Sequence, residues 1–414
     1  MEYFNVYTSN YIKAINSHHN SYKVRLELLG YYENVIGDIT KDLSIDANGQ
    51  ININYEPIVR RSCSISMINV DKKYTPNANN PFWFERKFKL WIGVVDKETG
   101  DIYWWAQGVF FTQSANSDGN IVNIEGIDKG GALNGTLGMN IADTQYKIKS
   151  GAYIGDVVRD TLMLNMYQQT DRIPYASGKP IDPATPIIDL KYNKVKTERE
   201  ITVDANNCIG DIFQQLGEGY NADMYYDING RFQVAELSDG SRVDGYKYMA
   251  AQWEFDDSNS FYGLANFTYN FDSKNTITVY TASSDKKNFS YTAYNKNPAS
   301  PVRVGLCGVR RMEAQEIPLL DIPDEEMEKK CKDYADYLLI KETLRGTSVA
   351  FDSPIIPHLD VNRAITITDR KQDFDRETFI VQSITIPLSA TTMSITATSI
   401  NWLPTIFDIE GFGA

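Results

Sequence analysis

FKLWIGVV (88–95), DKETG (96–100) and DIYWWAQGVFF (101–111) are the stretch on which the reading of the fold turns. Two apolar runs rich in aromatic and β-branched residues flank a pentapeptide of turn formers. Runs this short read as two antiparallel strands rather than as helices. Trp104 and Trp105 are neighbours, so on a strand one ring faces each side of the sheet. One ring can fill the interior and the other needs a cover.

Outward from this pair, period-two alternation recurs. Val24, Leu26 and Leu28 share one face of 23–28, opposite Lys23, Arg25 and Glu27. Ile51, Ile53 and Tyr55 oppose Gln50, Asn52 and Asn54, and Cys63, Ile65 and Met67 oppose three serines. Asn48-Gly49 reads as a hairpin turn, since both residues tolerate positive φ. With IVNIEGID (121–128) this makes six or seven short strands in about 110 residues, and a small closed barrel removes their exposed edges most economically.

The period changes after Gly138. In 153–165, Ile154, Val157, Val158 and Leu162 form one helical stripe. The four prolines of 173–186 read as a long loop. A second helix is expected over 206–219, capped by Asn206 or Asn207, with Ile209, Ile212, Phe213 and Leu216 inward and Gly217 and Gly219 as its stop. A hairpin follows, turning at Asn229-Gly230. Strands return over 253–312. The clearest helix, 322–345, carries Met327, Cys331, Tyr334 and Leu338 on one face and Asp324, Glu325 and Glu326 at its positive end. The last section, 347–402, alternates again.

The fold class expected is therefore α+β, mainly β: two small antiparallel β-barrel domains, an α+β insert, and a long helix before the second barrel. The boundaries are an N-terminal arm (1–21), a first barrel (22–140), the insert (141–250), a strand-plus-helix connector (251–345), a second barrel-like domain (346–403) and a tail (404–414).

The chain has 414 residues, 42% of them apolar, enough for sizeable cores. Its 41 Lys and Arg against 54 Asp and Glu leave a net charge of −13, which argues against gripping nucleic acid through its phosphates. No apolar run reaches the 18 residues of a membrane span, and the N-terminus lacks the pattern of a signal peptide, so cytoplasmic synthesis is expected. Cys63, Cys208, Cys307 and Cys331 are too scattered for a redox or zinc motif and read as reduced core thiols.

No catalytic set emerges. His18-His19 reads as an exposed pair, and His358 sits in a proline-bounded turn without a nucleophile motif. The acidic segments 96–101, 253–260 and 369–377 contain carboxylates that glycoside hydrolysis or Ca²⁺ binding would need, but they read first as turns and solvated faces. The catalytic, cofactor and metal expectations are all none. The aromatic cluster around Phe82 and Phe84 supplies interface candidates instead: Trp83, Trp91, Trp104 and Trp105. Contact with another domain or subunit is favoured over a carbohydrate platform.

Several segments then resemble the central hub proteins of phage tail baseplates and related contractile injection machines. They are KLWIGVVDKETGDIYWWAQGVFF (89–111), IVNIEGIDKGGALNGTLG (121–138), YYDINGRFQV (225–234), PIIPHLDVNRAITITD (354–369) and ETFIVQSITIPLSATTMSITATS (377–399). Asn362-Arg363 stands where many such hubs have Gly-Asp, and Asn can still take positive φ. The resemblance implies a non-enzymatic homotrimer whose six β-units match a six-fold tail tube to a three-fold spike or tip. Its implied partners are the distal tail or tube ring, the spike or tip protein and the end of the tape-measure protein, with DNA only in passage through a channel. The implied location is the virion tail (baseplate or tail tip), assembled in the host cytoplasm. For such a ring the net charge of −13 makes an acidic bore an expectation. The alternatives are a cell-wall polysaccharide hydrolase and a carbohydrate-binding tail protein.

Overall fold

The computed structural model describes residues 8–399 except 18–20, 31–32, 45–48, 57, 76–85, 138–144, 171–185, 198–199, 205–206, 221, 237–250, 258–262, 270–273, 282–287, 299, 301, 317–323, 344–346 and 372–373. The chain divides into two compact units. The first comprises Met1–Glu236, Ser353–His358 and Ser383–Ser394, and the second Leu237–Asp352, Leu359–Gln382 and Ile395–Ala414.

In the first unit the elements are α1 (Ser9–Ile15), β1 (Ser21–Leu29), β2 (Val35–Asp38), β3 (Gln50–Asn54), β4 (Arg61–Ile68), β5 (Lys87–Val95), β6 (Ile102–Ser117), β7 (Ile121–Asp128) and α2 (Gly130–Leu133). The insert follows, with β8 (Gln145–Ile148), α3 (Ile154–Thr170), β9 (Ile187–Ile188), β10 (Ile201–Asp204), α4 (Gly210–Tyr220), β11 (Ala222–Tyr226) and β12 (Phe232–Glu236). The strands of 88–95 and 101–111 pair antiparallel as read, with Phe88 opposite Phe110 and Val95 opposite Ile102. The sheet runs β3-β4-β7-β6-β5-β1-β2. Alternation placed its inner face correctly at Val24, Leu26, Leu28, Ile51, Ile53, Cys63, Ile65 and Met67, all buried, while Tyr55 is only half-buried; Phe88, Leu90 and Val94 of the apolar run are buried as well.

Closure into a barrel does not occur; among the described residues the sheet stays open. The reason lies at β3. Its free edge is occupied by Ser383–Pro387, with Ile384 opposite Ile53 and Ile386 opposite Ile51. Asn48 of the expected Asn48-Gly49 turn lies outside the described residues; β3 pairs with β4 and this late segment and not with the strand before it. β2, which alternation missed, pairs with β1 and exposes Val35 and Ile36. An isolated antiparallel bridge joins Leu43 to Met67 of β4.

The insert packs both helical stripes inward. Ile154, Val157 and Val158 of α3 and Ile209, Ile212, Phe213 and Leu216 of α4 share one core with Met224, Phe232 and Val234 of the β11–β12 hairpin. The expected cap moves. α4 starts at Gly210, and the Asp211 carboxylate accepts the Cys208 N–H at 3.2 Å. α4 also runs past Gly217 to Tyr220, because the buried side of the helix continues into the strand that follows. The proline-rich loop 173–186 lies outside the described residues except for Pro186.

The second unit holds β13 (Trp253–Asp256), β14 (Gly263–Tyr269), β15 (Thr276–Tyr280), β16 (Ser290–Tyr294), α5 (Val304–Cys307), β17 (Gln315–Glu316) and α6 (Asp324–Thr343). β18 (Thr347–Pro354), β19 (Ala364–Asp369), β20 (Phe374–Pro387) and β21 (Thr392–Ser399) complete the chain; β18, β20 and β21 contribute residues to both units. Here too the sheet is open, in the order β14-β18-β21-β20-β19-β13. It is not purely antiparallel, because β13 lies parallel to β19. α6 lays Cys331, Ala335, Leu338 and Leu339 on Ile277, Val279 and Ala293 of the β15–β16 hairpin. Asn362 does take positive φ, +56°, and its N–H donates to the Val381 carbonyl at 2.9 Å.

Candidate interface surfaces

The aromatic candidates occupy different environments. Trp91 is buried in its own chain. Its indole N–H donates to Glu27 Oε2 at 2.7 Å, and the Lys89 ammonium lies 4.4 Å from its ring centre. Trp104 is half-buried and lies over Gly93, where a Cβ would stand 2.8 Å from the indole. Glycine at 93 thus leaves the room that the Trp104 ring and the Ile102 side chain occupy. Trp83 lies outside the described residues.

Trp105 receives its cover from α1, a helix within what reads as a plain N-terminal arm. Thr8 caps it, its hydroxyl accepting the Tyr11 N–H at 3.2 Å. Tyr11 is fully buried, stacked on Trp105 at 6.2 Å between centroids and edge-on to Tyr103 and His358. A 2.8 Å hydrogen bond joins Tyr11 Oη and His358 Nδ1. A bulge in β6 holds this corner. The register shifts between Leu90 and Trp91, and the extra residue, Gln107, donates its carboxamide to the Pro357 carbonyl at 2.9 Å. Tyr11→Phe is expected to cost about 1 kcal/mol, one net hydrogen bond. Tyr11→Ala is expected to cost about 3–5 kcal/mol and to red-shift the tryptophan emission as Trp105 is wetted. Denaturant titration followed by fluorescence checks both.

The sequence reading missed a second feature, a buried ionic seam between the sheet and the β11–β12 hairpin. Arg60 donates to Asp223 Oδ1 at 2.5 Å and stacks 3.5 Å from the Tyr225 ring centre. Arg61, 1% exposed, donates to the Tyr226 carbonyl at 3.1 Å. Asp128 accepts the backbone N–H groups of Arg60, Arg61 and Gly130 at 2.8, 2.8 and 2.9 Å. Glu33 bridges Lys129 at 2.7 Å and Lys87 at 2.9 Å, and Lys129 also donates to the Gly230 carbonyl in the hairpin turn. Lys89 donates to the Asn229 carboxamide in the same turn at 3.1 Å.

The electrostatics follow from burial. Burial pushes the Asp128 carboxyl up to about 6, outweighing its three N–H donors and Arg61. At Glu33 burial also acts upward, but the ammonium groups of Lys129 and Lys87 together win and hold the carboxyl below its ordinary value. Burial lowers Lys89. The spread of partners along the chain hid this seam. A usable signal was the charge at strand ends, Arg60-Arg61 where β4 begins and Asp128-Lys129 where β7 ends. Gly130 completes the corner, since a Cβ there would stand 2.2 Å from the Ile58 carbonyl oxygen.

Asp96 accepts the N–H groups of Glu98 and Thr99 in the β5–β6 turn. Asp257 pairs with Arg370, and Glu254 with Arg376. Cys63 and Cys331 are buried thiols, and burial pushes Cys63 well up; Cys208 and Cys307 are half-exposed rather than core. His18 and His19 lie outside the described residues. Among the described residues no cluster of three metal-ligating side chains occurs, and no helix is long and apolar enough to cross a membrane.

No family model matches the chain, and no curated protein matches it in sequence. Solved structures do match. The tail protein from Neisseria meningitidis MC58 superposes with a TM-score of 0.56 at 10% identity, over 92% of this chain and 98% of that one. The 43 kDa tail protein of prophage MuSo2 from Shewanella oneidensis gives 0.53 at 11% identity, with the same coverages of 92% and 98%. A chain of the Francisella PdpA–VgrG complex gives 0.51 at 10% identity, over 94% of this chain and 59% of that one. The resemblance carried by the strand and helix order therefore holds in three dimensions: this chain has the fold of phage tail proteins.

Proposed function

We propose that this protein is the structural hub of a phage tail baseplate or tail tip. Three copies form a ring, each giving two β-units, so that a six-fold tail tube meets a three-fold spike or tip around a channel for DNA or the end of the tape-measure protein. Its place is the virion tail, and its role is mechanical rather than catalytic. The observation that carries this reading is the end-to-end match to tail proteins, 92% of this chain against 98% of theirs, which leaves little of either chain outside the shared fold.

The open sheets support it. β2 ends one sheet and exposes Val35 and Ile36, an edge of the kind that isolated proteins blunt and assemblies pair. The test is size-exclusion chromatography with light scattering on the purified chain. The expected mass is three times the 46.9 kDa of one chain. A monomer in solution, and one copy per native tail, would overturn the proposal.

A further inference from the structure

In the second unit, the chain from Asn295 to Met312 contains Lys296, Arg303, Arg310 and Arg311 and no Asp or Glu, within a protein of net charge −13. Its tip, Arg303–Arg311, displays Leu306 (60% exposed) and Val309 (50% exposed). Isolated exposed apolar residues are ordinary. These two stand three residues apart on a segment that is held fixed.

Two buried asparagines hold it. Asn275, 0% exposed, donates through Nδ2 to the carbonyls of Val302 (2.9 Å) and Gly308 (2.8 Å), while its Oδ1 accepts the Arg310 N–H at 2.7 Å. Asn295, 1% exposed, donates to Ser300 Oγ at 2.9 Å, and its carbonyl accepts the Val304 N–H at 2.8 Å. Arg303 closes the base by donating to the Pro298 and Ser300 carbonyls. Fixing backbone this thoroughly around solvent-facing leucine and valine gives the fold itself nothing, because neither side chain packs into a core. Presenting them ready-ordered lowers the entropy cost of docking.

We infer that Arg303–Arg311 is a contact element for a second copy of this chain, packing Leu306 and Val309 against that copy with Arg311 at the rim opposite its carboxylates. The choice of occupant rests on charge. The four cations concentrated here leave the rest of the chain more acidic still, so another copy offers the complementary field. A contact between unlike patches is also the kind that closes a ring. The inference rests on the trimer reading above.

The test uses the full chain as wild type, as the Leu306→Asp/Val309→Asp double variant, and as Arg311→Glu. The double variant is expected to keep the wild-type circular dichroism and unfolding midpoint and to weaken self-association at least about 100-fold. Arg311→Glu, which alters a rim charge alone, is expected to weaken it less and to lose that effect at high salt. In a Cys208→Ser background, a photo-crosslinker on Cys307 is expected to capture an Asp- or Glu-rich peptide of another copy. An oligomeric wild type with equally oligomeric variants, or crosslinks confined to one copy, overturns this inference and leaves the hub reading standing. A wild type that is monomeric throughout overturns both. If the double variant does not fold, Arg311→Glu and the crosslink decide.

Discussion

Asp223→Ala is expected to lower the unfolding free energy by about 3–5 kcal/mol, and the Arg60→Met/Asp223→Leu double variant to recover most of that loss. The Arg60 and Asp223 side chains are 2% and 8% exposed, so the pair lies almost wholly out of water. Removing one partner leaves the buried guanidinium without its carboxylate, the costly half of a broken pair. Replacing both by apolar groups removes the desolvation cost along with the attraction, and such exchanges are often neutral. Arg60 also packs on Tyr225, and methionine can keep that contact. Denaturant titration measures the losses. Hydrogen exchange locates them, with the amides of the β11–β12 hairpin expected to open first because the seam fixes that hairpin to the sheet. A loss below about 1 kcal/mol for Asp223→Ala, or a double variant no better than the single, would show that the seam does not carry the hairpin.

What the sequence made legible, and what it hid, divides along one physical line. Period-two alternation reports which face of a strand is wet, a local property, so Leu26, Ile53 and Met67 were placed correctly. The stripes of α3, α4 and α6 were legible for the same reason. Alternation does not say which strand lies alongside. The expected barrels fail at β3, whose neighbour comes from more than 300 residues downstream. The interface candidates divide in the same way. Adjacent tryptophans implied that one ring needed a cover, but nothing local pointed to Tyr11 on α1 as the cover of Trp105. The seam was hardest to see, since Arg60 and Asp223 stand 163 residues apart. By contrast, the Asn362 turn was foreseeable, because positive φ is a property of one residue and asparagine adopts it at small cost.

The same seam makes a pH dependence predictable. Asp128→Ala strips the acceptor from three buried backbone N–H groups and is expected to cost about 3–5 kcal/mol near pH 4.5. The cost is expected to shrink as pH rises. Asp128 titrates at about 6 in the folded chain against an ordinary 3.8, so between those values the folded state holds a proton that the unfolded state has released. Stability from this carboxyl is therefore fully present below pH 3.8 and is lost as pH climbs through 6. The full change from 3.8 to about 6 corresponds to about 3 kcal/mol. Other carboxylates impose their own pH profile on the wild type, Glu33 in the opposite sense because its carboxyl is held below its ordinary value. The informative quantity is accordingly the difference between wild type and Asp128→Ala at each pH, where shared terms cancel. That difference should narrow steadily between pH 4.5 and 7.5. A difference that widens toward pH 7.5 would mean that the three N–H donors and Arg61, not burial, dominate the carboxyl. The corner between β4, β7 and α2 would then be held by an ionised Asp128 at neutral pH.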